Sequence, residues 1–285
     1  MSARFATVRV DDRELPAVVS ERGVALVADL VPDFDGDLVA LIGSGRADEA
    51  ASAAAGAAMR LFRDPATAVF APPYRRCRKL WGIGLNYVEH ASDLTEQVPD
   101  EPASFLKGDH TIIGPGDPIP VPPQSRRTTA EAELGLVIGT ECWNVEEEDA
   151  LGHVFGVCAL LDQTAEDILE RNPRFLTRSK NFPGFFSFGP EIVPTADVLN
   201  AGGDLADVEV STVINGEARR TNTVAHMRYD PAFLVSFHSK VMPLYPGDII
   251  STGTPGAVQI RPGDVVECRI PGVGVLSNPV VAGTL

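Results

Sequence analysis

The 285-residue chain has few cations, few cysteines and no long apolar run. Lys and Arg total 24 against 39 Asp and Glu, a formal net charge of -15, so no basic footprint exists for nucleic acid or for an acidic membrane surface. An acidic protein does not draw in anionic substrates by its overall field, and local cations must hold any carboxylic acid it binds. The four cysteines, Cys77, Cys142, Cys158 and Cys268, form no C-x-x-C pair. The simplest expectation is reduced thiols in a cytoplasmic protein. Arg4 and Arg9 and the lack of an apolar core in the first ten residues argue against a signal peptide. The Ala-rich segment 47–61 is interrupted by Asp48, Glu49, Gly56 and Arg60 and predicts a surface helix, not a membrane span. His110, His153, His226 and His238 have no metal-like spacing among themselves. Gly82-Ile83-Gly84 lacks the third glycine of a dinucleotide fingerprint, and Ser179 and Ser251 lack a nucleophile-elbow context.

What is present suffices for a large core, since 44% of the residues are hydrophobic. Residues 5–10 and 17–19 predict short strands joined through Asp11-Asp12, and 37–42 and 47–61 predict helices, together a small N-terminal α+β domain over 1–72. Pro65 and Pro72-Pro73 mark a linker into a second domain, 73–285, whose short apolar strands alternate with Pro-Gly-Asp turns. Residues 208–214 followed by Asn215-Gly216 predict a hairpin. Helices are expected at 86–94, 145–150, 165–171 and 231–239. The balance is a β-rich α+β fold.

The chemistry centres on Glu131-Ala132-Glu133-Leu134-Gly135-Leu136-Val137-Ile138. Its apolar, branched tail predicts a buried strand, in which Glu131 and Glu133 project from one face. Two carboxylates so placed repel each other and lose hydration, and require a shared proton, a basic partner or a cation. Asp162 lies 29 residues beyond Glu133, after the apolar run 154–161 and at the expected end of a second strand. Three oxygen ligands without His or Cys suit Mg²⁺ or Mn²⁺. His90 and Asp93, if helical, are i, i+3 neighbours, so the acid can orient the imidazole and raise its basicity for taking a proton from water, with Glu89 as an alternative partner.

The segments Ile83-Gly84-Leu85-Asn86-Tyr87 with His90, Phe105-Leu106-Lys107, Ile113-Gly114-Pro115-Gly116-Asp117, Glu131-Ala132-Glu133-Leu134, Asp162, Lys180, Gly189-Pro190, Asn215-Gly216-Glu217, Pro246-Gly247-Asp248 and Thr252-Gly253-Thr254-Pro255 resemble, in order, the fumarylacetoacetate hydrolase family. The resemblance covers roughly residues 79–285. It implies a mixed β-roll catalytic domain fronted by a small N-terminal one, with Glu131, Glu133 and Asp162 as ligands of Mg²⁺ or Mn²⁺. It further implies His90, Asp93 and Lys180 as catalytic residues, Lys107, Gly253 and Thr254 as substrate contacts, and a homodimer. The expected activity is metal-dependent hydrolysis of a carbon-carbon bond in an acylpyruvate or related 1,3-dicarbonyl or 2-oxo acid. The alternatives are decarboxylation or keto/enol isomerisation of a 2-oxo dioate through the same enolate, or a non-catalytic metal-binding relative. Four features depart from the pattern: Asp93 where relatives commonly carry a Glu, Thr128-Thr129-Ala130 before the first ligand, Glu166 where relatives carry an Arg, and Gly108-Asp109-His110-Thr111 after Lys107.

Overall fold

The stretch around Glu131 becomes the strand Thr128–Ile138, buried along its whole length. In the computed structural model, which describes residues 3–87, 99–200 and 203–284, this strand lies near the middle of a large mixed sheet. It pairs antiparallel with Val154–Ala165 along its full length, placing Asp162 opposite Glu131 and Leu160 opposite Glu133. Val154–Ala165 pairs in turn with Phe186–Pro194, and that strand with Arg4–Val10. On the other side, Ile249–Ser251 joins Thr128–Ile138 to Leu80–Gly84 and Ala103–Lys107. A second, five-stranded sheet runs Glu217–Thr223, Glu209–Ile214, Val265–Ile270, Gly274–Ala282, Ile119–Val121. The result is the expected β-rich α+β fold.

Alternation along the central strand assigns its two faces. Ala130, Ala132, Leu134, Leu136 and Ile138 pack against Val210, Ile214, Val266 and Leu276 of the second sheet. Val137, with Cys158 and Leu160 of the neighbouring strand, packs against Phe5, Leu38 and Leu41 from the N-terminal segment. Coverage on both faces explains why the sequence is apolar at every position from 134 to 138. Glu131 and Glu133 share the phase of Val137 and lie further along that face, where the apolar packing gives way to charge.

Most local expectations are matched, with shifted boundaries. Asp11 and Asp12 take left-handed conformations, φ 49° and 60°, in the turn between Arg4–Val10 and Arg13–Ser20. Asn215 and Gly216, φ 53° and 83°, do the same between Glu209–Ile214 and Glu217–Thr223. Asp37 caps the helix Leu38–Gly43 by accepting from the Ala40 N-H at 2.8 Å. The Ala-rich helix is shorter than expected: it runs Ala47–Gly56 and ends where Ala57 turns extended, with Met59–Leu61 forming a separate 3₁₀ turn. The strand Gly23–Leu26 is not anticipated, because four consecutive buried residues carry no alternation to read. The proline-rich junction is tied down, since Phe70–Ala71 pairs with Arg4–Val10 and the Thr7 hydroxyl donates to the Pro73 carbonyl at 2.6 Å. The expected helix at 86–94 falls largely on residues outside those described. Among the described residues no helix is long and apolar enough to cross a membrane.

Candidate metal centre and adjoining pocket

Strand register builds the centre. Glu131 and Glu133 project from one face, and the antiparallel partner brings Asp162 directly beside Glu131. Oxygen atoms of all three carboxylates lie within 4.8 Å of one another, and all three residues are buried. Asp162 sits inside its strand, not at the end as expected from the apolar run, because Gln163, Thr164 and Ala165 continue the ladder opposite Ala130, Thr129 and Thr128.

Each carboxylate is fixed by at least two donors, and Lys180 serves both Glu131 and Asp162. Glu131 accepts from the Thr164 hydroxyl at 2.6 Å through Oε1 and from Lys180 Nζ at 2.8 Å through Oε2. Glu133 Oε2 accepts from the Ser251 hydroxyl and from the Gly253 N-H at 2.7 Å. Asp162 receives Lys107 on Oδ1 and Lys180 on Oδ2, the latter at 2.7 Å. Lys107 also donates to the Phe185 carbonyl at 2.6 Å. Lys180 is no solvated loop lysine: it ends the short helix Leu176–Lys180 and is buried between Glu131 and Asp162.

Gly253 and Thr254 lie beyond the strand Ile249–Ser251. Gly253 has φ +103°, and a Cβ there would stand 2.8 Å from the Asn86 Cβ, so only glycine fits. Asn86 in turn donates to the Thr252 and Tyr229 carbonyls at 2.7 and 2.9 Å, which fixes this turn against the neighbouring loop. The Gly253 N-H, expected to contact substrate, here donates to Glu133. Thr254 is buried and lines the adjoining pocket. His90, Asp93 and the alternative Glu89 lie outside the described residues.

The electrostatics follow from burial. Desolvation, then Asp162 and Glu131, push the Glu133 carboxyl up to about 8. Burial also opposes charge on Asp162, but Lys107 and Lys180 outweigh it and hold that carboxyl below its ordinary range. Burial works against the Lys180 ammonium too, yet Asp162, Glu131 and Glu133 hold it above the usual lysine range. Lys107 is drawn down by burial, with the second ammonium adding to the effect. Three carboxylates thus face two ammoniums in a dry site. An all-oxygen donor set in one buried cluster, one member of it short of positive charge, fits a hard divalent cation held by Glu131, Glu133 and Asp162.

Beside the triad opens a pocket of about 450 Å³. Glu131, Glu166, Glu170 and Lys180 line it with Thr164 and Thr254, and Phe105 and Leu85 are among its apolar lining. The hydroxyls of Thr164 and Ser251 were not singled out by sequence reasoning. The available signal for Thr164 is its i+2 relation to Asp162, which puts it on the same strand face. Ser251 carries no comparable signal, because its contact with Glu133 depends on the pairing of two strands far apart in sequence.

Comparison with known proteins agrees with this geometry. The family described as fumarylacetoacetate (FAA) hydrolase, C-terminal, matches residues 79–281. Oxaloacetate tautomerase fahd2, mitochondrial, of Xenopus laevis is 36% identical over 218 residues, covering 73% of this chain and 67% of that protein. The crystal structure of 5-carboxymethyl-2-hydroxymuconate delta-isomerase from Mycobacterium smegmatis superposes with TM-score 0.78 at 28% identity, over 99% of this chain and 100% of that one. Maleylpyruvate hydrolase from Sphingobium sp. SYK-6, solved with manganese(II) and pyruvate, superposes with TM-score 0.82 at 26% identity, over 99% and 100%. With motifs, fold and carboxylate cluster in agreement, this chain belongs to the fumarylacetoacetate hydrolase family, whose members include hydrolases, isomerases, decarboxylases and tautomerases.

Proposed function

We propose that the protein is a Mg²⁺- or Mn²⁺-dependent hydrolase that cleaves a carbon-carbon bond in an acylpyruvate or related 1,3-dicarbonyl acid. The observation that carries this reading is the buried convergence of Glu131, Glu133 and Asp162 beside a pocket lined by Glu131 and Lys180. A divalent ion there would supply a Lewis acid for the two oxygens that such a substrate offers in chelating geometry. Lys180 sets a fixed positive charge beside those oxygens, in a protein whose overall field repels an anion. Thr254 adds a hydroxyl to the lining, and the Gly253 amide and Ser251 hydroxyl orient Glu133. Burial of Lys107 against Asp162 locks the third carboxylate.

In the reaction, water adds to the acyl carbonyl, and the bond from that carbon to the neighbouring methylene breaks. The bonding pair passes to the methylene carbon as the enolate of pyruvate, which then takes up a proton, leaving a carboxylic acid and pyruvate. His90, partnered by Asp93, is the proposed acceptor of the water proton.

A second reading keeps the enolate and omits water attack: tautomerisation or decarboxylation of a 2-oxo acid. The tautomerase and isomerase relatives support it. Pyruvate and CO₂ are followed with an acylpyruvate panel, with and without chelator. Metal-dependent pyruvate release that is lost in His90→Ala supports hydrolysis. Metal-dependent loss of enol absorbance or CO₂ release, spared by His90→Ala but lost in Glu133→Ala, supports the second reading.

A further inference from the structure

The pocket beside the triad is asymmetric in charge. Lys180 is the one lysine or arginine among the described lining residues, and its ammonium is already fastened to Glu131 and Asp162. The wall built from the segment after Asp162 offers Leu169, Pro173 and Leu176, and between them Glu166 and Glu170. Arg127 reaches this wall from outside the lining, and it is committed there. Its guanidinium pairs with Glu166 at 2.9 Å and with Glu170, and its carbonyl accepts the Glu166 N-H at 2.9 Å. Two carboxylates therefore share one guanidinium, and the described lining holds more carboxylates than ammoniums. Residues 88–98 contain no lysine or arginine, so they add no fixed cation wherever they lie.

A substrate's 2-oxo acid end belongs at the triad and Lys180. The rest of the pocket offers its remaining atoms leucines, a proline and two carboxylates. A second carboxylate on the substrate would be brought up against like charge in a partly dry pocket, with the nearby guanidinium already paired. A cationic group would be attracted by the charge that Arg127 leaves unanswered, but against the cost of leaving water for a largely apolar wall. An uncharged chain loses nothing to either and gains by covering the apolar wall.

We propose that this wall sets specificity: the pocket takes 2-oxo acids whose far end is an uncharged, apolar acyl chain, and Glu166 with Glu170 excludes those that end in a second carboxylate. The proposal names the substrate class of the reading given above and rests on it.

Two measurements separate the fate of one from the other. The first uses dead-end ligands that lack the 1,3-dicarbonyl, 2-oxohexanoate and 2-oxoadipate, titrated calorimetrically into Mn²⁺-loaded protein. The expected result is tighter binding of 2-oxohexanoate by about 10-fold or more, with the gap narrowing in Glu166→Gln/Glu170→Gln. It should also shrink as salt rises, because the wall is partly exposed. The second compares kcat/KM for an acylpyruvate with an alkyl acyl chain and its terminally carboxylated counterpart of equal length, with the same preference and the same narrowing expected.

Equal or tighter binding of 2-oxoadipate, a gap that the double variant leaves unchanged, or binding of neither ligand overturns the proposal. If 2-oxohexanoate is preferred and the preference falls in the double variant while no acylpyruvate is turned over, the specificity stands and the hydrolase reading fails.

Discussion

Lys107 shows how much of the centre depends on single side chains. Its ammonium is buried against Asp162, the Gln163 and Phe185 carbonyls and the Phe186 ring. Replacing it with methionine keeps the volume but leaves Asp162 with Lys180 alone, in a cluster already short of positive charge. Removing one partner of a buried ion pair costs about 3–5 kcal/mol. Lys107→Met should therefore lower the denaturant midpoint strongly at unchanged m-value, whereas a midpoint within error of the parent would show that the pair carries no weight. At this scale the sequence was informative about phase and silent about reach. Alternation places Glu131 and Glu133 on one face, but the partnership with Asp162 needs the register of a strand that starts beyond residue 150. Burial of Lys180 likewise depends on how its helix docks, which no local pattern specifies. The left-handed backbone of Gly253 follows from Asn86 packing against it, a contact between residues 167 positions apart.

At the scale of elements, the helix Pro231–Val241 supports the sheet beneath the site through His238. The imidazole is fully buried, 4.7 Å from the Trp81 ring, with Nδ1 against the Leu234 carbonyl at 2.7 Å. Burial holds it below the ordinary histidine range. In the unfolded chain it binds a proton near the usual value of about 6.5, and in the fold only at lower pH. As pH falls through that value the unfolded state gains protons first, so the stability contributed by neutral His238 is present above it and lost below it. Denaturant midpoints at pH 7.5 and 5.5 should show a loss on acidification that is smaller in His238→Leu; an equal loss in both proteins would rule out this histidine as the source. The helix was expected at 231–239 and runs Pro231–Val241, with Asp230 capping it by accepting from the Phe233 N-H at 2.8 Å. The short strands were less so. Gly23–Leu26 and Ile112–Ile113 take their pairing from neighbours and not from their own pattern.

At the scale of the whole molecule, the N-terminal segment and the residues after it share structure. Phe5 lies opposite Ile192 in the large sheet, Arg4 pairs with Glu191 at 2.9 Å, and Phe5, Leu38 and Leu41 complete the apolar cluster that contains Val137 and Leu160. Composition and the proline-rich junction suggested a boundary at 72 and 73, since sequence reveals a change of style more readily than a shared sheet. Heating the full chain is expected to give one cooperative transition, with near-ultraviolet and far-ultraviolet dichroism moving together. An earlier, separate transition assigned to residues 1–72 would show that the shared cluster does not couple them. The same cluster lies beside the triad on one face of the central strand, so the N-terminal segment supports the layer that holds Glu131 and Glu133.

The proposed chemistry requires three oxygen donors, from Glu131, Glu133 and Asp162, to close around one hard cation. Crystals grown or soaked with Mn²⁺ and measured for anomalous scattering test it directly. The predicted map has one strong peak per chain, coordinated by Glu131, Glu133 and Asp162 and absent from Glu133→Gln crystals treated alike. A map with no peak among these carboxylates, or with manganese bound only elsewhere, would contradict it.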